Sequence, residues 1–549
     1  MNSNKMKSLS IVAVVAIAAI SIAGTQNKYF EIAKNIEIFA NAYKELNTYY
    51  VDDIDPAKLM RIGIDAMTES LDPFTNYISE ADIEGYRIQS TGKYGGIGFR
   101  SEVHEDGLVT IVEIYNESPA EKAKLSPGDV VLKADGRSIK GKNDEELSDL
   151  LKGSPGTKLT LTVRKAGSAK EENIDITREE IKIPNVPYSG MITDNIGYVN
   201  LTTFTEDAGE NVGKAVRELK AKNQLKGIVL DLRDNGGGLL TEAVNVVNTF
   251  VGKDVLTVSM RSKVKEWDKD FKTQNGAIDA DVPVTVLMNH RSASASEIVS
   301  GALQDLDRAV IIGEKSYGKG LVQNTKDVGY GSRLKLTTAK YYIPSGRCIQ
   351  AVYYRKGEAI EIADSLKNSF KTKNLRVVYD GGGIIPDVKV ETTKSISVIQ
   401  ALLKRHLIFD YATQYRLAHP TITGTAKDFR LTDADYQDFI LFITKANINY
   451  DTEVETLLKQ LEDKAKAAKQ DALLQTDLAA MRTKLATEKR SDLTKYKSAI
   501  KAIIEKEIVG RYFAQKGKIE QGLQVDEEVR EAVKLLNDVP RYKQILKMK

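Results

Sequence analysis

Apolar and polar positions alternate with different periods along this chain, and the changes of period mark its parts. Between residues 28 and 90 apolar side chains fall three or four positions apart, which is the spacing of a helix with one buried face. Between about 92 and 166 short apolar runs alternate with turns, and one helix, Asp144 to Lys152, interrupts them. The pattern predicts a helical region over 25–90 and a compact module of strands over 91–166.

Residues 190 to 395 alternate apolar strands with amphipathic helices, which is the order of an α/β domain. The strand that ends at Arg233 runs into a glycine-rich turn and then a helix from about Leu240 to Phe250. A second strand, Val282 to Met288, runs into a Ser-Ala repeat and another helix. Each unit places a tight loop with free backbone amides at the end of a strand. We assign this domain to 167–395.

The last part of the chain, 396–549, has a mostly helical pattern and is charged, with almost no glycine between about 425 and Gly510. Short heptad-like apolar runs in it are interrupted by polar residues. Because charge runs on helices usually face water, we predict a solvated amphipathic helical domain, with a homo-oligomer or adaptor surface as the alternative. The predicted fold class is a multidomain α/β (α+β) protein with helical N- and C-terminal regions.

The N-terminal segment has the composition of a targeting signal. Lys5 and Lys7 precede an apolar run from Ile11 to Ala23, and no acidic residue occurs before Glu31. The run is 13 residues long, whereas roughly 20 are needed to span a bilayer, and small residues at its end fit a cleavage site. We predict a signal peptide over 1–24, with a retained anchor as the alternative. The protein is then exported to the periplasm or cell envelope and touches a membrane only through an uncleaved segment.

Composition argues against several classes of protein. The 79 basic and 76 acidic side chains nearly cancel, so nothing favours a nucleic acid as partner. Cys348 is the only cysteine, and the four histidines show no metal-ligand spacing. We expect no disulfide, no metal site and no cofactor.

The Ser-Ala repeat from Ser292 to Glu297 suggests a nucleophile. A serine between a strand and a helix sits in a tight turn, and the amide that follows it lies at the positive end of the helix dipole, where it can stabilise an oxyanion. Ser294, followed by Ala295, is such a serine. The same residues also fit a helix cap in which Glu297 completes a capping box. The repeat alone leaves both interpretations open.

Lys319 is a candidate base. It lies between Gly318 and Gly320, where the backbone can pack closely. Burial lowers the pKa of a lysine, so an amine held there can act as a base at neutral pH. Gln323 is placed to hold that amine. The turn from Asn235 to Gly238 offers further backbone amides with no side chains in the way, which suits the second half of an oxyanion hole.

Two other interpretations compete with this one. Gly313 to Lys319 has the spacing G-x-x-x-x-G-K of a phosphate-binding loop, but Gly320 replaces the magnesium-binding hydroxyl and no helix is expected after it. His290, four residues before Ser294, suggests a Ser-His-Asp triad. However, no other histidine lies in the α/β region. A P-loop nucleotide hydrolase is the least favoured function.

Six ordered blocks of sequence extend the pattern: Gly197 to Leu201, Leu230 to Gly238, Ser292 to Asp305, Gly318 to Gln323, Leu336 to Arg347 and Gly383 to Asp387. Together they closely resemble the carboxyl-terminal processing peptidases, also called tail-specific proteases. The resemblance covers roughly residues 35 to 395. Glycine stands at position 236 where proline is common and Cys348 where serine is frequent, and neither change removes a residue of the proposed site.

The resemblance implies a serine peptidase with a Ser-Lys dyad, a core related to the Clp protease and crotonase folds, and a PDZ domain inserted ahead of that core. The family's nucleophile falls on the middle serine, Ser294, its base on Lys319 and the residue orienting the base on Gln323. Its oxyanion amides fall on Ala295, Gly237 and Gly238. The PDZ loop that binds a terminal carboxylate falls on Gly96, Ile97, Gly98 and Phe99.

We therefore predict an exported serine endopeptidase that captures the C-terminal tail of a protein or peptide in its PDZ domain and cleaves it through an acyl-enzyme. A non-catalytic PDZ protein that binds peptides is the alternative from another class. The intact residues Ser294, Lys319 and Gln323 argue against that alternative. The helical tail lies outside the resemblance, so no role for it is implied.

Overall fold

The computed structural model describes residues 29–222, 224–390, 396–446 and 450–548. The predicted signal segment, 1–24, lies outside the described residues. The chain divides into two compact units. The first comprises residues 29–79 together with 325–336 and 354–359, and the second comprises the other described residues.

The first unit contains two helices and a short strand: α1 (29–49), α2 (Pro56–Glu69) and β1 (Asn76–Ile78). Helix α2 begins after Asp55, whose carboxylate accepts hydrogen bonds from the amides of Ala57 and Lys58. The helices follow the predicted periodicity. Strand β1, which the periodicity did not predict, pairs antiparallel with residues 333–335.

The second unit begins with a module rich in strands. Its elements are α3 (Ile83–Thr91), β2 (Lys93–Gly96), β3 (Phe99–Val103), β4 (Val109–Ile114), α4 (Pro119–Lys122), β5 (Val130–Ala134), β6 (Arg137–Ser138), α5 (Asp144–Leu151), β7 (Lys158–Arg164), β8 (Glu171–Thr177) and β9 (Glu179–Lys182). Five strands follow the order β3-β4-β5-β7-β8, and β6 lies beside β5. Strand β8 pairs with β7 along its whole length. The sheet therefore continues past residue 166, where we had placed the end of the module.

The α/β domain follows the strand module. Its elements are β10 (Tyr188–Met191), β11 (Ile196–Asn200), α6 (Ala208–Lys222), β12 (Gly227–Asp231), α7 (Leu240–Phe250), β13 (Leu256–Ser262), β14 (Lys269–Lys272), β15 (Val284–Met288), α8 (Ala295–Asp305), β16 (Ala309–Gly313), β17 (Leu321–Gly329), β18 (Ser332–Tyr342), β19 (Val352–Arg355), β20 (Glu358–Glu361), β21 (Ser369–Lys371), β22 (Val377–Tyr379) and β23 (Val388–Lys389). Residues 325–336 of β17 and β18 and residues 354–359 of β19 and β20 belong to the first unit. The central sheet has the order β10-β11-β12-β15-β16-β23, and every pair in it is parallel except β10 with β11.

Side chains of the central sheet alternate between its two faces, because successive residues of a strand point in opposite directions. In strand β12, Ile228 and Leu230 pack into a core shared with α6, α7 and α8. Val229, between them, packs into a second core on the other face. Both cores exclude water, so the sheet is the middle layer of three.

The C-terminal region is helical, as predicted. Its helices are α9 (Ser397–Lys404), α10 (Leu407–Ala418), α11 (Asp433–Lys445), α12 (Glu453–Ala467), α13 (Asp471–Arg490), α14 (Asp492–Lys495), α15 (Lys497–Gly522), α16 (Glu527–Asn537) and α17 (Val539–Ile545). Helix α15 is kinked at Ala514, whose φ is 52°. In the four described stretches of the chain, no helix combines the length and hydrophobicity of a membrane span.

Helices α16 and α17 cover the second face of the central sheet, which the sequence analysis did not foresee. Val529, Leu535 and Leu536 of α16 are buried against the strands there. The hydroxyl of Tyr542 in α17 exchanges hydrogen bonds with the backbone of Val284 in β15. The end of the helical region is thus one layer of the α/β domain.

The strand module also packs against the helical region. His104, in the turn between β3 and β4, stacks on His406, the residue before α10, with ring centroids 4.1 Å apart and planes 6° from parallel. Phe409 meets the edge of the His104 ring. Two of the four histidines of the chain therefore lie face to face at one contact between domains.

Candidate active site

Three loops meet at one edge of the central sheet. Strands β12, β15 and β16 run parallel and adjacent, so their carboxyl ends lie side by side, which is where ligands bind in open α/β sheets. The loops that follow them carry the glycine turn at 236–238, the Ser-Ala repeat and Lys319. Topology alone therefore gathers the motifs that the sequence analysis singled out.

Among the three serines of the repeat, only Ser294 keeps a hydroxyl that donates to no carbonyl in the described part of the chain. The hydroxyl of Ser292 donates to the carbonyl of Leu232 at 2.8 Å, and that of Ser296 donates to the carbonyl of Asn235 at 2.8 Å. Ser292 and Ser296 are also almost completely buried. They tie the repeat to the neighbouring loop and leave Ser294 as the candidate nucleophile.

The backbone at Ser294 is strained. Its φ and ψ of 55° and −113° fall outside the regions that residues other than glycine usually adopt. Such a conformation persists only where the surroundings enforce it, and it is common at functional sites. It turns the chain from β15 into α8, with Ala295 as the first helical residue. The Ala295 amide, at the N-terminus of that helix, donates no hydrogen bond within the described residues.

The glycine turn lies directly against this serine. A Cβ atom built on Gly237 would stand 2.8 Å from the Cβ of Ser294 and 2.9 Å from the amide of Ala295. The Gly237 amide donates to the side chain of Asn235 at 2.9 Å, so it can serve as an oxyanion donor only by giving up or sharing that bond. The Gly238 amide has no acceptor among the described residues. Ala295 and Gly238 are the two open donors of the predicted set.

The loop with Lys319 is equally tight. A Cβ atom on Gly318 would lie 2.3 Å from that of Ala351, and the Gly320 amide donates to Gln350 at 2.7 Å. Lys319 itself is half-buried. Gln323 follows in β17, where its amide nitrogen donates to the hydroxyl of Thr337 at 3.1 Å.

One carboxylate holds the serine turn and the lysine loop together. Glu297 is completely buried, and its Oε2 accepts the amides of Ser294 at 2.8 Å and Lys319 at 2.9 Å. Its Oε1 accepts the Gly318 amide at 2.7 Å and the Ser316 hydroxyl at 2.5 Å. Burial raises the pKa of Glu297 to about 7, against the opposing effect of these four donors. The capping bond considered in the sequence analysis is present, but it is one of four.

Tyr341 of β18 joins the same two residues from their carbonyl sides. Its buried hydroxyl lies 3.1 Å from the carbonyl oxygen of Ser294 and also contacts the carbonyl oxygen of Lys319. Burial keeps the pKa of this hydroxyl well above its usual value, so it stays protonated and can donate. The sequence pattern indicated no role for Tyr341, although this residue lies within the block from Leu336 to Arg347.

The two competing interpretations do not fit the geometry. The segment Gly313 to Lys319 leads from strand β16 into strand β17, so the helix that a phosphate-binding loop requires is not there. His290 is 69% exposed, and its Nδ1 pairs with Glu314 at 2.7 Å on the surface. His290 therefore belongs to a pair on the surface. The P-loop interpretation is wrong because a strand, β17, follows Lys319 where that loop requires a helix.

The predicted carboxylate loop, Gly96 to Phe99, connects β2 to β3. Gly98 has a φ of 84°, and a Cβ there would lie 2.3 Å from the Cβ of Ser118, so only glycine fits. The amides of Ile97 and Gly98 donate to no acceptor in the described stretches, while their carbonyls bind Ala120 and Tyr115. Strand β3 is an edge strand of its sheet. The loop and the edge together offer donors for an extended peptide.

Comparison with known proteins follows the same division of the chain. Residues 195–355 match Peptidase family S41, and residues 110–165 match a PDZ domain. Residues 398–536 match a domain described as Probable PDZ-protease, C-terminal helical domain. These three matches fall within the α/β domain, the strand module and the helical region respectively.

Individual relatives agree with these matches. A carboxy-terminal-processing protease of Bartonella bacilliformis is 38% identical over 347 residues, which cover 63% of this chain and 78% of that protein. A probable CtpA-like serine protease of Staphylococcus haemolyticus is 36% identical over 349 residues, covering 61% of this chain and 68% of that protein. Among solved structures, a photosystem II D1 C-terminal processing protease aligns with 26% identity and a TM-score of 0.35, covering 64% of this chain and 92% of its own. At that score the superposition adds nothing to the sequence relationship.

Proposed function

The chain belongs to the carboxyl-terminal processing proteases of peptidase family S41, and on this premise we propose that Ser294 and Lys319 form its catalytic dyad. The protein is a serine-type peptidase with a PDZ domain, as its motifs predicted. The shared attachment of the Ser294 and Lys319 backbones to one buried carboxylate is the observation that carries the proposal.

In the proposed reaction Ser294 attacks the carbonyl of the scissile peptide bond while the neutral amine of Lys319 takes the hydroxyl proton. The amides of Ala295 and Gly238 donate to the oxyanion that forms. Lys319 then passes the proton to the leaving amine, and the C–N bond breaks to give an acyl-enzyme. Water attacks this ester and gives a proton to Lys319, which returns it to Ser294 as the acid leaves.

Substrate capture falls to the PDZ domain. We propose that a terminal carboxylate accepts hydrogen bonds from the open amides of Ile97 and Gly98, with Gly96 and Phe99 shaping the loop. The peptide chain then adds to the edge of β3 as a further strand. This mode uses main-chain bonds, so it selects a free C-terminus more strongly than a particular sequence. We also propose export to the cell envelope, which rests on the composition of residues 1–24 alone.

The dyad is tested by cleavage of an unfolded reporter protein with an apolar C-terminal tail. We expect Ser294→Ala to reduce kcat/KM at least about 10⁴-fold, and Lys319→Arg to reduce it similarly because a guanidinium does not give up its proton. Ser300→Ala is the matched control, since the hydroxyl of this buried serine donates to the Ser296 carbonyl within α8, and it should stay within about twofold of the wild type. Undiminished cleavage by both dyad variants would refute the proposal.

The same assay tests capture by the PDZ domain when the reporter ends in a carboxamide. A neutral amide loses the charge-assisted bonds to the loop, so we expect KM to rise about tenfold or more with kcat little changed. Equal KM values for the acid and the carboxamide would remove the terminal carboxylate from recognition.

A further inference from the structure

We infer that Glu297 and Tyr341 are positioning residues that fix the nucleophile and the base of the proposed dyad relative to each other. The inference rests on the proposed function, because it assigns the two side chains a role only through Ser294 and Lys319. It concerns how the dyad is held, which the assignment of the dyad itself leaves open.

The contacts that Glu297 and Tyr341 make with the dyad residues are symmetric. The amides of Ser294 and Lys319 both donate to one atom, Oε2 of Glu297, at 2.8 and 2.9 Å. The carbonyl oxygens of the same two residues both face one atom, the hydroxyl oxygen of Tyr341. Two side chains thus join the same pair of residues, one through their N–H groups and the other through their C=O groups.

These contacts cross between loops that are otherwise separate in sequence. Ser294 and Glu297 belong to the start of α8, Lys319 follows β16, and Tyr341 lies in β18. Main-chain bonds of a residue fix its Cα and Cβ, so the two contacts restrict the relative position of the Ser294 and Lys319 side chains. Catalysis by a general base depends on such positions, since a misplacement of about 1 Å can cost about 10²-fold in rate.

Simple packing does not explain the choice of side chains. Glu297 and Tyr341 are both almost inaccessible to solvent, and burying a carboxylate is costly unless it is fully hydrogen-bonded. The carboxylate of Glu297 accepts hydrogen bonds at both of its oxygens. Its four partners are three amides and the Ser316 hydroxyl, and all four belong to the two loops that bear the dyad.

The contacts require the ionised form of Glu297. A neutral carboxylic acid has one O–H donor, which would face an amide or hydroxyl that is also a donor. The titratable groups around Glu297 are Tyr341 from β18, with Cys348 near its hydroxyl, and Lys319 from the loop after β16. Since burial raises the pKa of Glu297 to about 7, the arrangement weakens as the pH falls through that range. A decline in kcat on the acid side is the expected consequence.

The Ser316 hydroxyl provides a test that leaves the dyad untouched. It donates to Glu297 and lowers the pKa of that carboxyl. In the full-length enzyme we expect Ser316→Ala to move the acid limb of the kcat profile to higher pH by a few tenths of a unit or more, with KM unchanged. Ser300 is a buried serine of α8, the helix that carries Glu297. Ser300→Ala should leave the acid limb of the kcat profile at the pH of the wild type.

Tyr341→Phe removes only the hydroxyl that faces the two carbonyls. We expect kcat to fall about tenfold to 10²-fold at unchanged KM, with an unfolding midpoint close to that of the wild type. If Tyr341→Phe stays within twofold of the wild type and Ser316→Ala leaves the acid limb in place, the positioning role is refuted. The Ser294→Ala variant separates this failure from a failure of the proposed function. If Ser294→Ala is inactive, the proposed dyad is retained even though the positioning role is refuted. If Ser294→Ala is active, the dyad itself is refuted.

Discussion

Gly237 shows how little space the candidate active site leaves at a single position. Its φ of 101° favours glycine, and the nearest atoms that a side chain would meet are the carbonyl of Ala293, the Cβ of Ser294 and the amide of Ala295. Gly236, its neighbour, has no atom within 4 Å of a built Cβ. A side chain therefore has room at position 236 but not at position 237.

This difference gives a prediction with its own control. We expect Gly237→Ala to reduce kcat about 10²-fold or more, because the added methyl group pushes on the serine turn and the oxyanion amide. Gly236→Ala should keep kcat within about twofold. The measurement is steady-state cleavage of the reporter by both variants, and equal activities would contradict the crowding seen at Gly237.

Sequence patterns indicated the candidate nucleophile and base, but not the side chains that join their two loops. The strand-loop-helix order predicted a serine turn, and family resemblance chose Ser294 among three serines. The structure adds a physical reason, since the hydroxyls of Ser292 and Ser296 are committed to backbone carbonyls. Glu297 was predicted only as a cap, because spacing along a chain cannot show that amides from a distant loop converge on the same carboxylate.

At the scale of elements, α16 is attached to the α/β domain by both apolar contacts and ion pairs. Beside its apolar contacts with the sheet, Asp526 and Glu528 at its start pair with Arg233 at 2.8 and 2.5 Å. Arg233 follows β12 and precedes the glycine turn. The helix therefore braces the strand end from which one side of the candidate site begins.

We expect Leu535→Ala in α16 to destabilise the protein by about 2–5 kcal/mol, the usual cost of truncating a fully buried leucine. Leu473→Ala in α13 makes the same chemical change at a side chain that is 78% exposed, and it should change stability by no more than about 0.5 kcal/mol. Urea unfolding of both variants measures the difference. Similar values for the two would mean that α16 contributes little to the core.

The sequence predicted helices in this region but not their attachment. Heptad-like spacing and charge indicated a solvated domain, and α12 and α13 do carry exposed leucines such as Leu461 and Leu473. The apolar stripe of α16 is short and has the same local pattern. The position of that stripe is determined by the face of a sheet whose strands β12, β15 and β16 lie more than 200 residues earlier in the chain. Periodicity contains no information on that pairing.

At the scale of the whole molecule, we expect the stacked histidines to make the contact between the PDZ domain and the helical region sensitive to pH. Burial lowers the pKa of both His104 and His406, while Glu102, Glu105, Asp106 and Asp410 around them oppose that shift. In the unfolded chain both histidines bind a proton near pH 6.5. In the folded contact they bind it only at lower pH, because their pKa values are lowered. The stability of the contact is therefore complete above about pH 6.5 and is lost as the pH falls through the lowered values.

We expect the thermal unfolding midpoint of the wild type to fall between pH 7.5 and pH 5.5 by more than that of His104→Phe, which keeps a ring in the stack but cannot be protonated. His419→Phe is the control, because His419 stacks on Tyr415 away from this contact. Its pH dependence should match that of the wild type. Identical pH dependence in all three proteins would show that the histidine pair does not sense protons.

The layer formed by α16 and α17 also sets an order of events during synthesis. Strands β11 to β16 leave the ribosome long before the helices that cover their second face, and translation proceeds at about 5–20 residues per second. The bare face thus persists for on the order of ten seconds while the helical region is made. We therefore expect a chain that ends before α16 to leave this face exposed to water and to cleave the reporter more slowly than the full chain does.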